Sequence, residues 1–249
     1  MSDDAHEVRF ETSPKRVRAL VGGKPVFDTT AARLVWEIPY YPAYYVPRAD
    51  VIAELRENGD FLEREGLGKG RVLDVVVDGH VVREAAVAYD DGTVPELRDL
   101  VRPRWSSMDE WLEEDEPIYV HPRDPYKRVD ILNSSRHVRI EVDGVTVAES
   151  NKPTLLFETS LPTRYYLPVA DVRTDMLRPT DTETRCPYKG TASWWTLEAG
   201  GEVHEDVVWM YRLPTSESHR IGGMLAFYDE RVDVYVDGEL QERPDSPFA

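Results

Sequence analysis

Short stretches of alternating apolar and polar residues, separated by turns that contain glycine, run along most of the chain. Val138–Val142 reads apolar, polar, apolar, polar, apolar, and Asp143-Gly144 follows it. Alternation with a period of two, closed by an Asp-Gly turn, predicts a β-hairpin. The same pattern predicts two longer hairpins, which pair Val72–Val77 with His80–Tyr89 and Ala192–Leu197 with Val203–Tyr211.

Helical periodicity is confined to two short stretches. One begins at Pro168, since proline suits the first position of a helix. The other spans Thr215–Ile221 and ends at Gly222, because glycine readily closes a helix. Many short strands with brief helices predict a mainly β fold made of antiparallel sheets.

The pattern occurs twice in the chain. A shift of 121 residues aligns Val17–Val51 with Val138–Val172 without a gap, and 13 of 35 positions are identical. This similarity indicates an internal duplication. We therefore predict two homologous domains, a linker and a frayed tail, with the boundaries 14–118, 119–135, 136–240 and 241–249. Within the linker, a short strand is predicted around Val129–Leu132.

Charge and composition narrow the classes of partner. The 249 residues carry a net charge of −17, and 41% of them are hydrophobic. A surface of this charge repels phosphate backbones and anionic lipids, and no stretch approaches the ~18 apolar residues of a membrane helix. The sequence thus predicts folded cores, with no nucleic-acid partner and no membrane partner.

Cys186 is the only cysteine, so an intrachain disulfide and a cysteine-rich zinc site are excluded. His and carboxylate residues show no convergent spacing, and we predict no metal site and no cofactor. The first ten residues have neither an apolar run nor a basic leader, which predicts no signal peptide and a cytoplasmic location. The oligomeric state is left open.

Four segments carry a resemblance to a known family: VDVYVDG, LLFETSLPTRYYLP, RCPYKG and FYDERVDVYVDGE. They resemble the bacterial family described as domain of unknown function 427, nearly throughout the second copy and more distantly in the first. The resemblance implies an Mss4-like β fold, in which sheets lean together over a groove. Many Mss4-like proteins bind zinc through several cysteines. This chain has one cysteine, so the zinc-binding role does not extend to it. The family's nucleotidyltransferase-like label has no support here from a Gly-Ser or an Asp-x-Asp pair.

Glu158 is the first candidate for chemistry. Leu156 and Glu158 point to the same side of a strand, which places the carboxylate beside an apolar face. A buried carboxylate must be paired or hydrogen bonded. Two interpretations stay open: a structural acceptor of backbone N–H groups, which its counterpart Glu37 favours, or a pocket acid or base.

The segment RCPYKG, residues 185–190, is the most distinctive. Arg185 and Lys189 flank the Cys186 thiol and favour its thiolate form. Gly66 stands opposite Cys186 in the first copy, which confines any thiol chemistry to the second. The alternatives are a nucleophile, with Glu158 or His204 as its base, and a small buried apolar side chain.

Adjacent tyrosines on a strand face opposite ways, so one of Tyr165 and Tyr166 packs inward while the other lines a surface or groove. Arg164 has no counterpart in the first copy, where Ala43 stands, and with Arg185 and Lys189 it predicts an anion pocket. The predicted ligand-binding residues are Arg164, Tyr166, Arg185, Tyr188, Trp194, Glu205 and Tyr228.

Three functional hypotheses follow. The leading one is binding of an anionic or planar small molecule in a groove of the second domain. The second is an enzyme that depends on Cys186, with Lys189 and Glu158 as further catalytic candidates. The third is a non-catalytic module that binds another protein through its acidic face and exposed tyrosines. Whether the protein is an enzyme is left open.

Overall fold

The computed structural model describes residues 8–246. Residues 1–7, which hold most of the segment assessed for a signal peptide, and residues 247–249 of the predicted tail lie outside the described residues. The chain divides into two compact units between Asp124 and Pro125. Within the described residues, each unit contains one seven-stranded and one four-stranded antiparallel sheet, as the mainly β prediction requires.

The N-terminal unit contains eleven strands among its described residues, with three short 3-10 helices at Arg48–Asp50, Pro95–Leu97 and Trp105–Ser107. The strands are β1 (Arg9–Thr12), β2 (Val17–Val21), β3 (Lys24–Thr29), β4 (Arg33–Trp36), β5 (Ala43–Pro47), β6 (Glu54–Arg64), β7 (Gly68–Val77), β8 (His80–Ala88), β9 (Leu100–Pro103), β10 (Glu110–Glu113) and β11 (Glu116–Ile118). The large sheet has the order β1-β4-β5-β9-β8-β7-β6, and the small sheet the order β11-β10-β2-β3.

The C-terminal unit repeats this arrangement, with 3-10 helices at Val169–Asp171, Thr174–Met176 and Ser216–Ile221. Its strands are β12 (Val129–Asn133), β13 (Val138–Val142), β14 (Val145–Ser150), β15 (Thr154–Glu158), β16 (Arg164–Leu167), β17 (Leu177–Cys186), β18 (Gly190–Ala199), β19 (Glu202–Tyr211), β20 (Leu225–Phe227), β21 (Asp233–Val236) and β22 (Glu239–Leu240). The large sheet has the order β12-β15-β16-β20-β19-β18-β17, and the small sheet the order β14-β13-β21-β22.

The three predicted hairpins are confirmed: β13 pairs with β14, β7 with β8, and β18 with β19. The helix predicted after Pro168 is absent, and two 3-10 helices stand there instead. Val172 lies between them in extended conformation, where it bridges to Ala148, and this pairing interrupts any longer helix. The helix predicted at 215–221 is the 3-10 helix Ser216–Ile221.

The short strand predicted around Val129–Leu132 is confirmed as β12, which forms an edge of the large sheet although it lies within the predicted linker 119–135. Residues 241–246 of the predicted frayed tail return to the C-terminal unit. The Gln241 N–H donates to the Val234 carbonyl at 2.8 Å, and Ser246 Oγ donates to Glu230 Oε1 at 2.5 Å. Hydrogen bonds to two partners thus fix this segment.

Each face of the C-terminal large sheet has its own apolar cluster, which explains the paired tyrosines. Tyr165 packs with the cluster between the two sheets, whereas the buried Tyr166 belongs to a cluster on the outer face. Both copies keep this alternation, since Tyr44 and Tyr45 divide in the same way. None of the helices among residues 8–246 combines the length and apolar character that crossing a membrane requires. The Mss4-like relationship stays a prediction.

Candidate functional site

Three of the predicted catalytic candidates meet at one end of the C-terminal large sheet. β15 ends at Glu158 and β17 ends at Cys186, and a tight turn follows that contains Lys189. Cys186 pairs with Gly190, whose φ of +101° is a conformation that strongly favours glycine. This turn brings the Lys189 ammonium to Glu158 Oε2, where it donates a hydrogen bond.

The Lys189–Glu158 pair is withdrawn from water. The side chains are 13% and 8% exposed, respectively. Burial acts to lower the pKa of Lys189, but the nearby Cys186, Glu158 and Tyr166 outweigh it, and the pKa is raised. A lysine in this setting stays charged, and its carboxylate partner supplies the compensation that a buried ion needs.

Two tyrosines complete this neighbourhood. Burial raises the pKa of Tyr166 to about 12, with Lys189 opposing and Cys186 adding to the shift. Burial likewise raises the pKa of Tyr211, and Tyr166, Cys186 and Glu158 contribute in the same direction. We name Glu158, Tyr166, Cys186, Lys189 and Tyr211 the thiol cluster. The half-buried thiol therefore lies among one cation, one carboxylate and two neutral phenols.

Trp194, Trp209 and Tyr228 pack against one another beside this cluster. Their ring centroids lie 5.1 to 5.3 Å apart. The Trp194 indole N–H donates to Thr184 Oγ1 at 2.9 Å, and that of Trp209 donates to the Tyr166 hydroxyl at 3.2 Å. The predicted ligand-binding residues Trp194 and Tyr228 thus belong to a closely packed aromatic group.

Arg164 lies next to these rings and is fully engaged by acids. Its guanidinium donates to the two carboxylate oxygens of Glu230 at 2.7 and 2.5 Å, and Nη1 lies 3.5 Å from Asp229 Oδ2. The three side chains are between 2% and 11% exposed. We call them the Arg164 triad, in which two carboxylates face one cation.

The two acids of the triad titrate in opposite directions. Burial raises the pKa of Asp229 to about 7; Arg164 opposes this shift and Glu230 adds to it. Burial also acts to raise the pKa of Glu230, but the hydrogen bonds from Arg164 and Ser246 outweigh it, and the pKa is lowered. Glu230 therefore carries the charge that pairs with Arg164, and Asp229 holds a proton near neutral pH.

The remaining predicted residues lie elsewhere or play other parts. Arg185 is exposed, and it neighbours Cys186 on a strand, where successive side chains alternate. Tyr188 is buried, and its carbonyl accepts hydrogen bonds from Thr215 Oγ1 at 2.5 Å and Ser218 Oγ at 3.0 Å. The structure thus joins Glu158, Tyr166, Cys186 and Lys189, and leaves Arg185 outside the cluster.

Glu205 is exposed, although simple alternation places it on the face of Val207 and Trp209. A register shift interrupts the pairing of β18 with β19, and Asp206 adopts a positive φ of 47°. This irregularity resets the alternation, so Glu205 points to water. Asp206 accepts hydrogen bonds from Thr180 and Thr182 at 2.7 and 2.6 Å, which ties β19 to β17.

Comparison with known families identifies the repeated unit. The family described as "Domain of unknown function (DUF427)" matches residues 9–114 and residues 130–238. The chain belongs to this family. A comparison with curated proteins gives no match.

The two DUF427 copies neutralise the same glutamate differently. In the N-terminal copy, Glu37 is 5% exposed, and it pairs with Arg64 and Arg102 and accepts a hydrogen bond from the Tyr45 hydroxyl at 2.7 Å. In the C-terminal copy, Lys189 pairs with Glu158. Ala226 occupies the position that corresponds to Arg102, because β20 pairs with β16 in the same register as β9 pairs with β5. The C-terminal DUF427 copy thus neutralises Glu158 with one cation, Lys189, and the Cys186 thiol lies nearby.

Tyr211 is absent from the predicted site residues. It ends the predicted strand Val203–Tyr211, but only the folded sheet brings it to Cys186. Asp229 and Glu230 belong to the segment 228–231, which the sequence places at the rim of the anion pocket, but their pairing with Arg164 spans more than 60 residues and is not predicted. Within residues 8–246, no three His, Cys, Asp or Glu side chains are grouped to hold a metal ion.

We predict that Lys189→Met destabilises the protein by roughly 3–5 kcal/mol, because it leaves the Glu158 carboxylate buried without its cation. Adding Glu158→Gln should return most of this loss. Urea unfolding followed by tryptophan fluorescence measures both effects. Lys152→Met, at an exposed lysine, is the control and should change stability by less than about 0.5 kcal/mol. Equal effects at the two lysines would show that the buried pair contributes nothing.

The Asp229 carboxyl predicts a specific pH dependence. Its folded pKa of about 7 lies above the ordinary value of 3.8, so the folded state binds this proton more tightly than the unfolded state. The penalty for ionising Asp229 is therefore absent below about pH 4, grows as the pH rises and is complete above about pH 7. Asp229→Asn should gain roughly 4 kcal/mol over the wild type across this range. Unfolding measured from pH 4.5 to 9 tests this, and a constant difference between the two proteins contradicts it.

Proposed function

We propose that the C-terminal DUF427 domain binds a small planar molecule at the thiol cluster. The observation that carries the proposal is the meeting of Cys186, Lys189 and Glu158 with two tyrosines at one end of a sheet. A few polar groups beside apolar and aromatic side chains are the usual composition of a ligand site, and the half-buried Cys186 gives this one access to solvent. Perturbed titration of Lys189 and Tyr166 in the same place supports this choice.

A planar ligand fits these residues better than an anionic one. Lys189 and Arg164, two of the three cations expected to form an anion pocket, are each paired with a buried carboxylate. A second anion would compete with those carboxylates inside a chain of net charge −17. The Lys189–Glu158 pair offers a donor beside an acceptor, which complements the edge of a neutral heteroaromatic ring.

The cytoplasmic location, and the absence of nucleic-acid and membrane partners, belong to the same proposal. The charge of −17 supports the absence of nucleic-acid and membrane partners, because phosphate backbones and anionic lipid surfaces repel such a protein.

A thermal-shift screen tests the proposal with paired libraries of neutral heteroaromatic compounds and carboxylate compounds. We expect stabilising compounds among the neutral planar set, and we expect each of them to slow alkylation of Cys186 by iodoacetamide. Lys189→Met should abolish the shift, and Lys152→Met should retain it. The proposal fails if neither library stabilises the protein, or if active compounds act equally on both variants.

Thiol chemistry at Cys186 is a second candidate function. The observation that favours it is the electrostatic contact of Cys186 with Lys189, in a turn that the N-terminal copy builds without cysteine. A neighbouring ammonium stabilises the thiolate, which is the reactive form of the side chain. Glu158, paired with the same lysine, is the candidate for a base.

We expect Lys189→Met to slow the labelling of Cys186 by iodoacetamide severalfold, because the variant removes the ammonium. Mass spectrometry of the intact protein across pH 6 to 9 measures the rate. Denatured protein supplies the reference rate for an unperturbed thiol. A thiol that stays inert up to pH ~9, above the pKa of free cysteine, rules the second candidate out.

A further inference from the structure

A hollow of about 270 Å³ lies in the C-terminal unit, and none of its lining residues belongs to the thiol cluster. Its lining includes Tyr165, Asp229, Val232, Val234, Gln241 and Glu242. Tyr165 packs in the cluster between the two sheets, whereas Tyr166 of the thiol cluster packs on the outer face. We call it the Tyr165 hollow, and it is separate from the site proposed above.

The N-terminal copy fills the equivalent position with aromatic rings. One row across its small sheet reads Ile118, Trp111, Ala19, Phe27. The equivalent row of the C-terminal unit reads Gln241, Val234, Ile140, Ala148. The two rows correspond because Ala19 and Ile140 are equivalent positions of the repeat and the strands on either side of them pair in the same register. Two rings and a buried isoleucine are thus exchanged for smaller or polar side chains, and Ile140 compensates only in part.

Trp111 shows what the space accommodates. Its indole lies 4.4 Å from the Trp105 ring, 5.5 Å from Phe27 and 6.3 Å from Tyr44, measured between centroids. Tyr44 is the repeat counterpart of Tyr165. The position facing this tyrosine therefore holds an indole in one copy and a hollow in the other.

Two polar groups at the hollow have hydrogen-bonding capacity that the fold does not use. In the N-terminal copy, the Tyr44 hydroxyl donates to Glu113 at 2.8 Å. In the C-terminal copy, Val236 occupies the position that corresponds to Glu113. The Tyr165 hydroxyl therefore makes no hydrogen bond to any residue in 8–246. Asp229 is 5% exposed, and its Oδ2 atom, although it lies 3.5 Å from Arg164 Nη1, accepts no hydrogen bond of standard geometry among the described residues. An unsatisfied buried oxygen costs free energy unless a ligand donor reaches it.

We propose that the Tyr165 hollow binds a planar aromatic amine of about the size of an indole, whose N–H or ammonium group donates to Asp229. The ring replaces the Trp111 side chain of the other copy. The volume is slightly below the ~300–1,000 Å³ of common ligand pockets, which limits the ligand to one small ring system.

The charges around the hollow favour a cation. Asp229 and Glu242 both line it, and none of its described lining residues is a lysine or an arginine. Arg164, the nearest cation named at Asp229, is held by Glu230 through two hydrogen bonds. An ammonium ligand would therefore meet carboxylate without a competing positive side chain in the lining.

Tryptamine, indole and indole-3-acetate form a probe series that keeps the ring and changes the charge. Isothermal titration at pH 8, above the pKa of about 7 for Asp229, should give saturable 1:1 binding of tryptamine. Indole should bind more weakly, and indole-3-acetate should not bind.

Asp229→Asn should weaken tryptamine binding about tenfold, since a hydrogen bond to a charged group is lost. Val234→Trp, which restores the tryptophan of the other copy, should abolish binding.

Cys186→Ser is the matched control. It changes the thiol cluster alone, so tryptamine binding should stay unchanged, and failure of the planar-ligand screen would not affect this result. The proposal is overturned if tryptamine does not bind, if indole-3-acetate binds as tightly, or if Asp229→Asn binds like the wild type. Circular dichroism checks that Val234→Trp is folded. If it is not, Asp229→Asn alone decides.

Discussion

Each copy of the fold must compensate one buried glutamate at the end of a strand, and the candidate site depends on how it does so. An ion taken out of water costs several kcal/mol unless a partner of opposite charge and further hydrogen bonds replace the lost hydration. Glu37 receives two arginines and a tyrosine hydroxyl. Glu158 receives Lys189, which the turn after β17 supplies. That turn also carries the only cysteine, so the need to neutralise Glu158 is what brings a cation to the thiol.

The second constraint is the alternation of side chains along a strand. Because neighbours on β16 face opposite ways, the pair Tyr165-Tyr166 contributes one ring to each face of the sheet. One adjacent pair therefore serves two separate places, the Tyr165 hollow between the sheets and the thiol cluster on the outer face. Arg164, on the side of Tyr166, connects the aromatic rings to Asp229 and Glu230. This geometry explains why a short tyrosine-rich segment is repeated in both copies.

The sequence predicts features that depend on local pattern. The hairpins, the duplication, the division of the tyrosines between two faces and the placement of Glu158 beside Leu156 all follow from alternation and turn residues. Contacts between distant segments do not follow, since no local pattern encodes them. The pairing of Arg164 with Glu230 depends on a loop 66 residues away, and it engages the cation that the sequence assigns to an anion pocket. Glu205 departs from prediction because an irregularity in β19 breaks the alternation on which its orientation was based. The helix expected after Pro168 gives way to a bridge at Val172 that only tertiary structure supplies.

Comparison of the two copies separates the residues that the fold requires from residues that it does not require. Positions that the backbone requires are alike in both copies, for example Gly23 and Gly144 in left-handed turns. In the N-terminal copy, the core beside Tyr44 is filled by the row Ile118, Trp111, Ala19, Phe27. The Tyr44 hydroxyl is hydrogen bonded to Glu113. The fold is therefore compatible with a filled core and a hydrogen-bonded hydroxyl at this position. The C-terminal copy gives up both and adds a buried carboxylate with one unbonded oxygen. The smaller side chains beside Tyr165 lower stability without serving the sheet, since the other copy builds the same sheet with the aromatic rings in place. This loss of packing, next to a buried carboxylate, indicates that those residues meet a demand other than folding.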